Sequence, residues 1–192
     1  MPRTKEQFRD MKEERINSIL TAALPLFSLN KKVTIDMICD KAKCSHGIVY
    51  HYYKNTDQIL EKLLKTTLFL ELNDKLFKLE SGSSYEKIEQ ILTVLLNVSK
   101  DEFETVCYLN MFIKSNDKSS LRFLLTKLIK DGQTAGSIVG GEPSSLVDSI
   151  FLLLKGIYLT FLLEKHPDIK VPSVETVMQL LCKPTNFSRQ TL

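Results

Sequence analysis

Apolar residues recur at intervals of three and four along almost the whole of this 192-residue chain. In residues 10–27 the series is Ile16, Ile19, Leu20, Ala23, Leu26 and Phe27, which places one apolar stripe along an α-helix. Strand-like alternation of apolar and polar residues is not visible, and the chain has only 7 glycines and 6 prolines. The sequence therefore predicts an all-α protein, and its 43% of hydrophobic residues can fill a core.

Polar segments divide this pattern into helices. Pro25 is expected to bend or end the first helix. Thr34, Ser45 and Asn55 are good N-cap residues for the second, third and fourth helices, and the fourth is expected to continue towards residue 80. Beyond a linker at 81–84, helices are expected over 85–99, 102–113, 119–129, 144–163 and from 173, with a glycine-rich break over 132–143.

Two domains are predicted, one over residues 1–54 that extends into a connecting helix to about residue 65, and a larger helical domain over 66–192. Residues 1–65 contain 12 Lys and Arg against 8 Asp and Glu, whereas residues 66–192 contain 14 against 15. All the excess positive charge thus lies in the first domain, as expected of a domain that meets phosphates.

Composition also bears on compartment. The longest strongly apolar run, residues 149–154, is interrupted by Lys155 and Gly156 and is too short to span a bilayer. Residues 3–15 are polar and charged and do not resemble a signal segment. A cytoplasmic protein without membrane contact is expected. Its cysteines, Cys39, Cys44, Cys107 and Cys182, should be reduced thiols.

Residues 34–54 have the pattern of a helix-turn-helix, with two short helices separated by a tight turn at Lys43 and Cys44. On the second of these helices, Val49 and Tyr53 are four apart and can point inward onto the first. The remaining surface carries His46, Gly47, Tyr50, His51 and Lys54. Along this outward surface, a glycine lies near the start, aromatic side chains lie in the middle and a basic side chain lies at the end.

Each of these side chains has a use at a DNA duplex. Thr34 and Ser45, at helix starts, can bind phosphate together with the first backbone N–H groups. Gly47 permits close approach of backbones, although it is a poor helix former. Hydroxyl, imidazole and ammonium groups can donate to phosphates or base edges, and these come from His46, Tyr50, His51, Tyr52 and Lys54.

The residues 15–27, 34–42 and 45–53 together resemble the N-terminal domain of TetR-type transcriptional regulators. In the C-terminal half, the segment 131–136 followed by an apolar helix that contains Gly156 is also similar to that family. The resemblance implies DNA contacts at Thr34, Ser45, His46, Gly47, Tyr50, His51 and Tyr52. Three departures are visible: the connector before Thr34 is short and lacks glycine, Thr56 replaces a basic residue, and Tyr53 replaces a phenylalanine.

For the whole chain, the resemblance implies a repressor that binds a double-stranded operator as a homodimer through its last two long helices. It also implies a small-molecule effector that binds among the middle helices and releases the DNA. Six aromatic residues could line such a pocket, with Asn110 or Lys114 supplying polarity: Phe103, Tyr108, Phe112, Phe123, Tyr158 and Phe161. The same aromatics could equally fill a core.

The sequence also bears on metal binding, catalysis and alternative functions. The cluster of Cys39, Cys44, His46 and His51 does not have the spacing of structural zinc sites, so no metal is predicted. No catalytic arrangement or phosphate-binding glycine loop is legible, so neither an enzyme nor a cofactor is predicted. The apolar helix near residue 150 could be the central helix of a monomer instead of a subunit interface. The alternative function is a helical protein-interaction adaptor with a degenerate DNA-binding head.

Overall fold

A computed structural model describes residues 5–99, 102–114, 120–164 and 169–181. Within these ranges the secondary structure is entirely helical, which confirms the predicted all-α class. The helices are α1 (Lys5–Leu29), α2 (Ile35–Ala42), α3 (His46–Tyr52), α4 (Thr56–Leu63), α5 (Thr67–Phe77), α6 (Ser84–Leu96), α7 (Phe103–Lys114), α8 (Leu121–Thr134), α9 (Pro143–Leu163) and α10 (Val174–Gln179). The chain divides into two compact units between Glu71 and Leu72.

The first unit is built around α1, which packs against α2 and α4, while α2 packs against α3. Each helix contributes fully buried residues to one small core: Ile19, Ala23, Ile38, Val49, Ile59 and Leu63. Burial of each of the isoleucine, valine and leucine side chains contributes about 1.5–3 kcal/mol. The α2–α3 pair is therefore held on a rigid base.

Pro25, expected from the sequence to bend or end the first helix, lies inside α1, four residues before the helix ends at Leu29. The helix continues to Leu29 because buried Ala23, Leu24 and Ser28 fix the segment against the rest of the unit. Asn30 then closes the helix, since its backbone N–H and its side-chain amide both donate to the Leu26 carbonyl, at 2.9 and 3.0 Å. Tertiary packing here outweighs the loss of one backbone hydrogen bond.

The predicted single helix from residue 55 towards 80 is in fact two helices, α4 and α5. Thr66 causes the break. Its hydroxyl donates to the Leu63 carbonyl at 2.9 Å and accepts from the Phe69 N–H at 3.3 Å, so one side chain closes the first helix and caps the second. The apolar stripe continues across this break, which is why periodicity alone did not reveal it.

In the second unit, α6 packs against α8 and α10, and α7 and α8 pack against α9. Ser120 caps α8, Ser173 caps α10, and Ser83 and Glu86 form a full capping box at α6. Two expectations are corrected. The helix expected over 144–163 begins at Pro143, in a first turn where proline is favoured, and Glu142 caps it. Gly132 lies inside α8, where an added Cβ would approach Ile138 Cδ1 to 2.5 Å.

One side of α9 is apolar but exposed. Leu152 is 71% exposed and Leu163 is 68% exposed. Together with Gly156 and Leu159 they lie within about 60° of arc on a helix of 3.6 residues per turn. These four residues are called the α9 stripe below. The helix has 21 residues, and its length and composition would allow it to cross a membrane. The apolar segment is therefore longer than the run 149–154 that the sequence analysis considered.

Candidate nucleic-acid interface

The turn between α2 and α3 depends on one residue in a left-handed conformation. Lys43 has φ 52° and ψ 45°, and its N–H donates to the Cys39 carbonyl. The Cys44 N–H donates to the same carbonyl at 3.1 Å. This Schellman-type ending stops α2 and redirects the chain, so that α3 begins two residues later.

Thr34 caps α2 as predicted. Its hydroxyl oxygen accepts a hydrogen bond from the Met37 N–H at 3.3 Å. Because the oxygen is the acceptor in this bond, the hydroxyl hydrogen can still donate outward. A phosphate placed at the start of α2 would meet that donor together with the first backbone N–H groups of the helix.

Ser45 occupies the N-cap position of α3 in the extended conformation, with φ −78° and ψ 156°. The position was predicted correctly, but the capping bond was not, since the Ser45 side chain makes no hydrogen bond to the helix. The residue is exposed. The first N–H groups of α3 and the Ser45 hydroxyl are therefore both available to an anion.

The two sides of α3 differ as the sequence predicted. Val49 is fully buried and Tyr53 is 8% exposed, and burial raises the pKa of the Tyr53 phenol. The opposite side is exposed and is called the outer face below; it consists of His46, Gly47, Tyr50, His51 and Lys54. Tyr52 is half-buried at its edge and contacts the His51 ring edge-on, with centroids 4.8 Å apart.

Gly47 has no structural reason within the unit to be glycine. A Cβ added there would meet no atom closer than the Ser45 Oγ at 3.9 Å, an ordinary contact. Helix propensity favours alanine over glycine by up to about 1 kcal/mol. The space above Gly47 is thus open to a partner that approaches the α3 backbone closely.

His46 has a partner that the sequence did not indicate. Its Nε2 lies 2.5 Å from Oδ1 of Asp36, in the first turn of α2, and both side chains are largely exposed. The pair links the starts of the two helices and orients the imidazole on the outer face. Periodicity could not have found it, because the two residues are ten apart and meet only through the geometry of the turn.

The far end of α3 is joined directly to α4. Asn55 caps α4 by accepting from the Gln58 N–H at 3.0 Å. The Gln58 side chain reaches back to the Lys54 N–H at 2.8 Å, one residue earlier than a capping box requires. Lys54 is consequently held at a fixed backbone position while its ammonium group extends into solvent.

The six aromatics predicted for an effector pocket lie in different environments of the second unit. Tyr108, Phe112 and Tyr158 are buried, and Phe161 is half-buried. Phe103 and Phe123 are exposed. The Tyr158 hydroxyl donates to the Leu95 carbonyl at 2.6 Å, so this residue has a clear role in the core. Asn110 is buried and Lys114 exposed. The pocket stays a prediction.

Metal ligands are not brought together in the part of the chain that the structure describes, where no group of three or more His, Cys, Asp or Glu could hold an ion. Cys39, Cys44 and Cys107 form no disulfide there, and Cys107 is buried. Cys182 lies outside the described residues.

Known proteins that are similar to this chain include regulators with a helix-turn-helix. No protein-family model matches the chain. An uncharacterized HTH-type transcriptional regulator, YhgD of Bacillus subtilis, is 23% identical over 188 residues, which covers 88% of this chain and 95% of that protein. Among solved structures, a regulatory protein of the tetR family from Rhodococcus RHA1 superposes with a TM-score of 0.56 at 15% identity, covering 88% of this chain and 98% of the other.

A second solved structure, AibR in complex with isovaleryl coenzyme A and operator DNA, has a TM-score of 0.55 at 13% identity and covers 86% of this chain and 94% of its own. At identities this low, the two superpositions establish likeness of fold alone. The resemblance stated from the sequence is thereby confirmed: the chain has the all-α fold of TetR-family regulators.

Proposed function

We propose that the protein is a sequence-specific DNA-binding transcriptional regulator of the TetR family, acting in the cytoplasm as a homodimeric repressor. The outer face of α3 carries this proposal. It presents hydrogen-bond donors, a cation and an open glycine on a short helix whose opposite side is locked into the core by Val49 and Tyr53. A protein surface of this kind suits the major groove.

Dimerisation is supported by the α9 stripe. Leucines at 71% and 68% exposure on one side of a long helix leave apolar surface in water that a second copy would cover. Gly156 lies in the middle of the stripe, and a Cβ added there would meet nothing within 4 Å. Two such helices could approach closely at this point. In a symmetric dimer, the two copies of α3 would enter successive major grooves about 34–36 Å apart, or a multiple of that.

Release by a small molecule is the further part of the proposal. Its support is the size of the second unit and the aromatic residues in it, together with a relative of the same fold, AibR, that has been crystallised with both isovaleryl coenzyme A and operator DNA. A thermal-shift screen followed by DNA-binding measurements would test it. A compound that raises the melting temperature and leaves operator affinity unchanged would contradict effector release.

The decisive test of DNA binding is the double variant Tyr50→Ala with His51→Ala, measured on an operator selected from random DNA. Two lost contacts of about 1 kcal/mol each predict an affinity about 30-fold weaker. Both residues are exposed, so the variant should keep its helical content and its melting temperature within a few degrees. Leu180→Ala provides the control, since it removes an exposed side chain just after α10, in the second unit.

Equal operator affinity of the double variant and the wild type would show that α3 is not the recognition helix. The dependence on salt separates the repressor from the adaptor. Binding to phosphates weakens steeply as salt rises, because counterions are released, whereas a protein-interaction surface need not show such a slope. A chain that selects no DNA at low salt would favour the adaptor.

A further inference from the structure

Two cysteines meet at the turn of the helix-turn-helix. Cys39 is in the last turn of α2, and Cys44 follows the left-handed Lys43. A Schellman-type helix ending characteristically brings the side chains at these two positions into contact. Here the backbone hydrogen bond from the Cys44 N–H to the Cys39 carbonyl is 3.1 Å long, and, after burial, hydrogen bonding with the Cys44 side chain is one cause of a raised pKa of the Cys39 thiol.

The two thiols differ in access to solvent. Cys39 is 4% exposed, and Cys44 is half-buried. Both line a surface cleft of about 460 Å³ together with Arg15, Asp40 and Lys43. Burial raises the pKa of the Cys39 thiol, and the nearby Cys44, Asp36 and Asp40 raise it further. Cys39 is therefore a protonated, sheltered thiol beside one that a small solute can reach.

We propose that Cys39 and Cys44 form a reversible disulfide when a hydroperoxide enters this cleft, and that the disulfide weakens DNA binding. The effect on DNA binding, though not the disulfide itself, rests on the proposed function. Reduced thiols remain the resting state, as expected without an oxidant. DNA binding would then respond to hydroperoxide through two cysteines of the DNA-binding unit itself.

The chemistry needs only the two thiols and the peroxide. The Cys44 thiolate, having lost its proton to water, attacks one peroxide oxygen; the O–O bond breaks, and the hydroxide that leaves takes up a proton to become water. Cys44 is then a sulfenic acid. The Cys39 sulfur attacks the Cys44 sulfur, the S–O bond breaks, and the departing hydroxide takes the Cys39 proton. Two thiols and hydrogen peroxide thus become one disulfide and two waters.

The effect on DNA binding follows from the position of Cys44. A disulfide holds its sulfurs at about 2.05 Å, much closer than two hydrogen-bonded thiols. Since Cys39 is fixed in the core, Cys44 must move most, and it is bonded directly to Ser45, the N-cap residue of α3. A displacement there changes the start of α3, where phosphate contacts are proposed. Misplacement of these phosphate contacts predicts an affinity about 10-fold lower.

Peptide mapping tests the bond independently of DNA. Trypsin cuts after Lys32, Lys41, Lys43 and Lys54, so Cys39 and Cys44 fall in the separate peptides 33–41 and 44–54. After treatment of the full-length protein with hydrogen peroxide and alkylation, we expect these two peptides as one linked species that dithiothreitol separates. Two peptides that are both still alkylated, or that carry only sulfinic acid, would overturn the proposal.

Operator affinity is measured on the same samples. The oxidised protein should bind about 10-fold more weakly, and dithiothreitol should restore binding. Cys44→Ser should bind like the reduced wild type and be insensitive to peroxide, whereas the control Cys182→Ser should remain sensitive. Equal affinity of linked and reduced protein would overturn the regulatory role. If reduced protein binds no DNA while the linked peptides still form, the proposed function fails and the disulfide stands.

Discussion

The outer face of α3 and the α9 stripe are both exposed, but they differ in chemistry. On α3 the exposed residues are mainly polar, aromatic or basic, and an acidic residue, Asp36, is paired with one of them. The α9 stripe consists of leucines around a glycine, with Leu152, Gly156 and Leu163 exposed and Leu159 half-buried. Exposed polar groups are common on any protein, whereas leucines aligned along one side of a helix are not.

The difference indicates two kinds of partner. Phosphates and base edges are bound by hydrogen-bond donors, and a surface of such donors stays hydrated when DNA is absent. The α9 stripe has no such donors, and its apolar area is best covered by an identical surface, as in a two-fold dimer. Variants that affect one surface and spare the other can therefore test the two assignments separately.

The largest effect is expected when charge is placed in the α9 stripe. Leu152→Glu combined with Leu163→Glu would bury four carboxylates in a symmetric interface, and each would lack a partner. We expect dimer dissociation to increase by at least about 100-fold, measured by analytical ultracentrifugation. The subunit itself should stay folded, because both leucines are largely exposed within it.

Leu180→Glu is the matched control for that experiment. Leu180 is 67% exposed, nearly the same as the two stripe leucines, but lies just after α10. It should leave the dimer intact. A double variant that sediments as the wild type does, at every concentration, would assign the α9 stripe to something other than self-association.

The second prediction compares two glycines. Gly47→Ala and Gly156→Ala both place a methyl group in open space within the subunit. Each should raise the free energy of unfolding, by up to about 1 kcal/mol, because alanine is the better helix former. Gly47→Ala should nevertheless weaken operator binding about 10-fold and leave dimerisation unchanged, since the methyl group obstructs the duplex.

Gly156→Ala should do the reverse. It should weaken dimerisation, and at protein concentrations that restore the dimer it should bind operator normally. Fluorescence anisotropy and sedimentation on both variants distinguish these patterns. If Gly47→Ala bound DNA as tightly as the wild type, the open space above α3 would have no role in recognition.

Sequence reasoning succeeded where structure follows from local spacing. The inward positions of Val49 and Tyr53, the caps at Thr34 and Asn55 and the tight turn at Lys43 all depend on contacts within a few residues. The end of α2 is of the same kind, since one left-handed residue determines it. These features define the α2–α3 pair almost completely.

It failed where the outcome depends on packing between distant residues. Local rules allow α1 to bend or end near Pro25, and buried neighbours extend the helix to Leu29. Phe123 and Tyr158 were grouped together from composition, but one is 55% exposed and the other is fully buried. The contact between His46 and Asp36 requires two helices to meet at a given angle, which no period in the sequence encodes.

That contact gives the smallest predicted effect, from Asp36→Asn. Both side chains are largely exposed, at 58% for His46 and 77% for Asp36, so the pair contributes at most about 1 kcal/mol to stability. The amide can still accept a hydrogen bond from His46, and the variant should unfold at almost the wild-type temperature. Removal of one negative charge beside the outer face should strengthen operator binding about two- to five-fold at low salt.

The gain should fade as salt rises, because exposed charges are screened over about 10 Å at 0.1 M. Asp74→Asn is the control, since Asp74 forms a comparable exposed ion pair with Lys78 on and just beyond α5, away from the α2–α3 pair in sequence. It should not change operator affinity. Weaker binding by Asp36→Asn at low salt would show that the carboxylate is needed to orient His46, so that the outer face would depend on an acidic residue as well as on its donors.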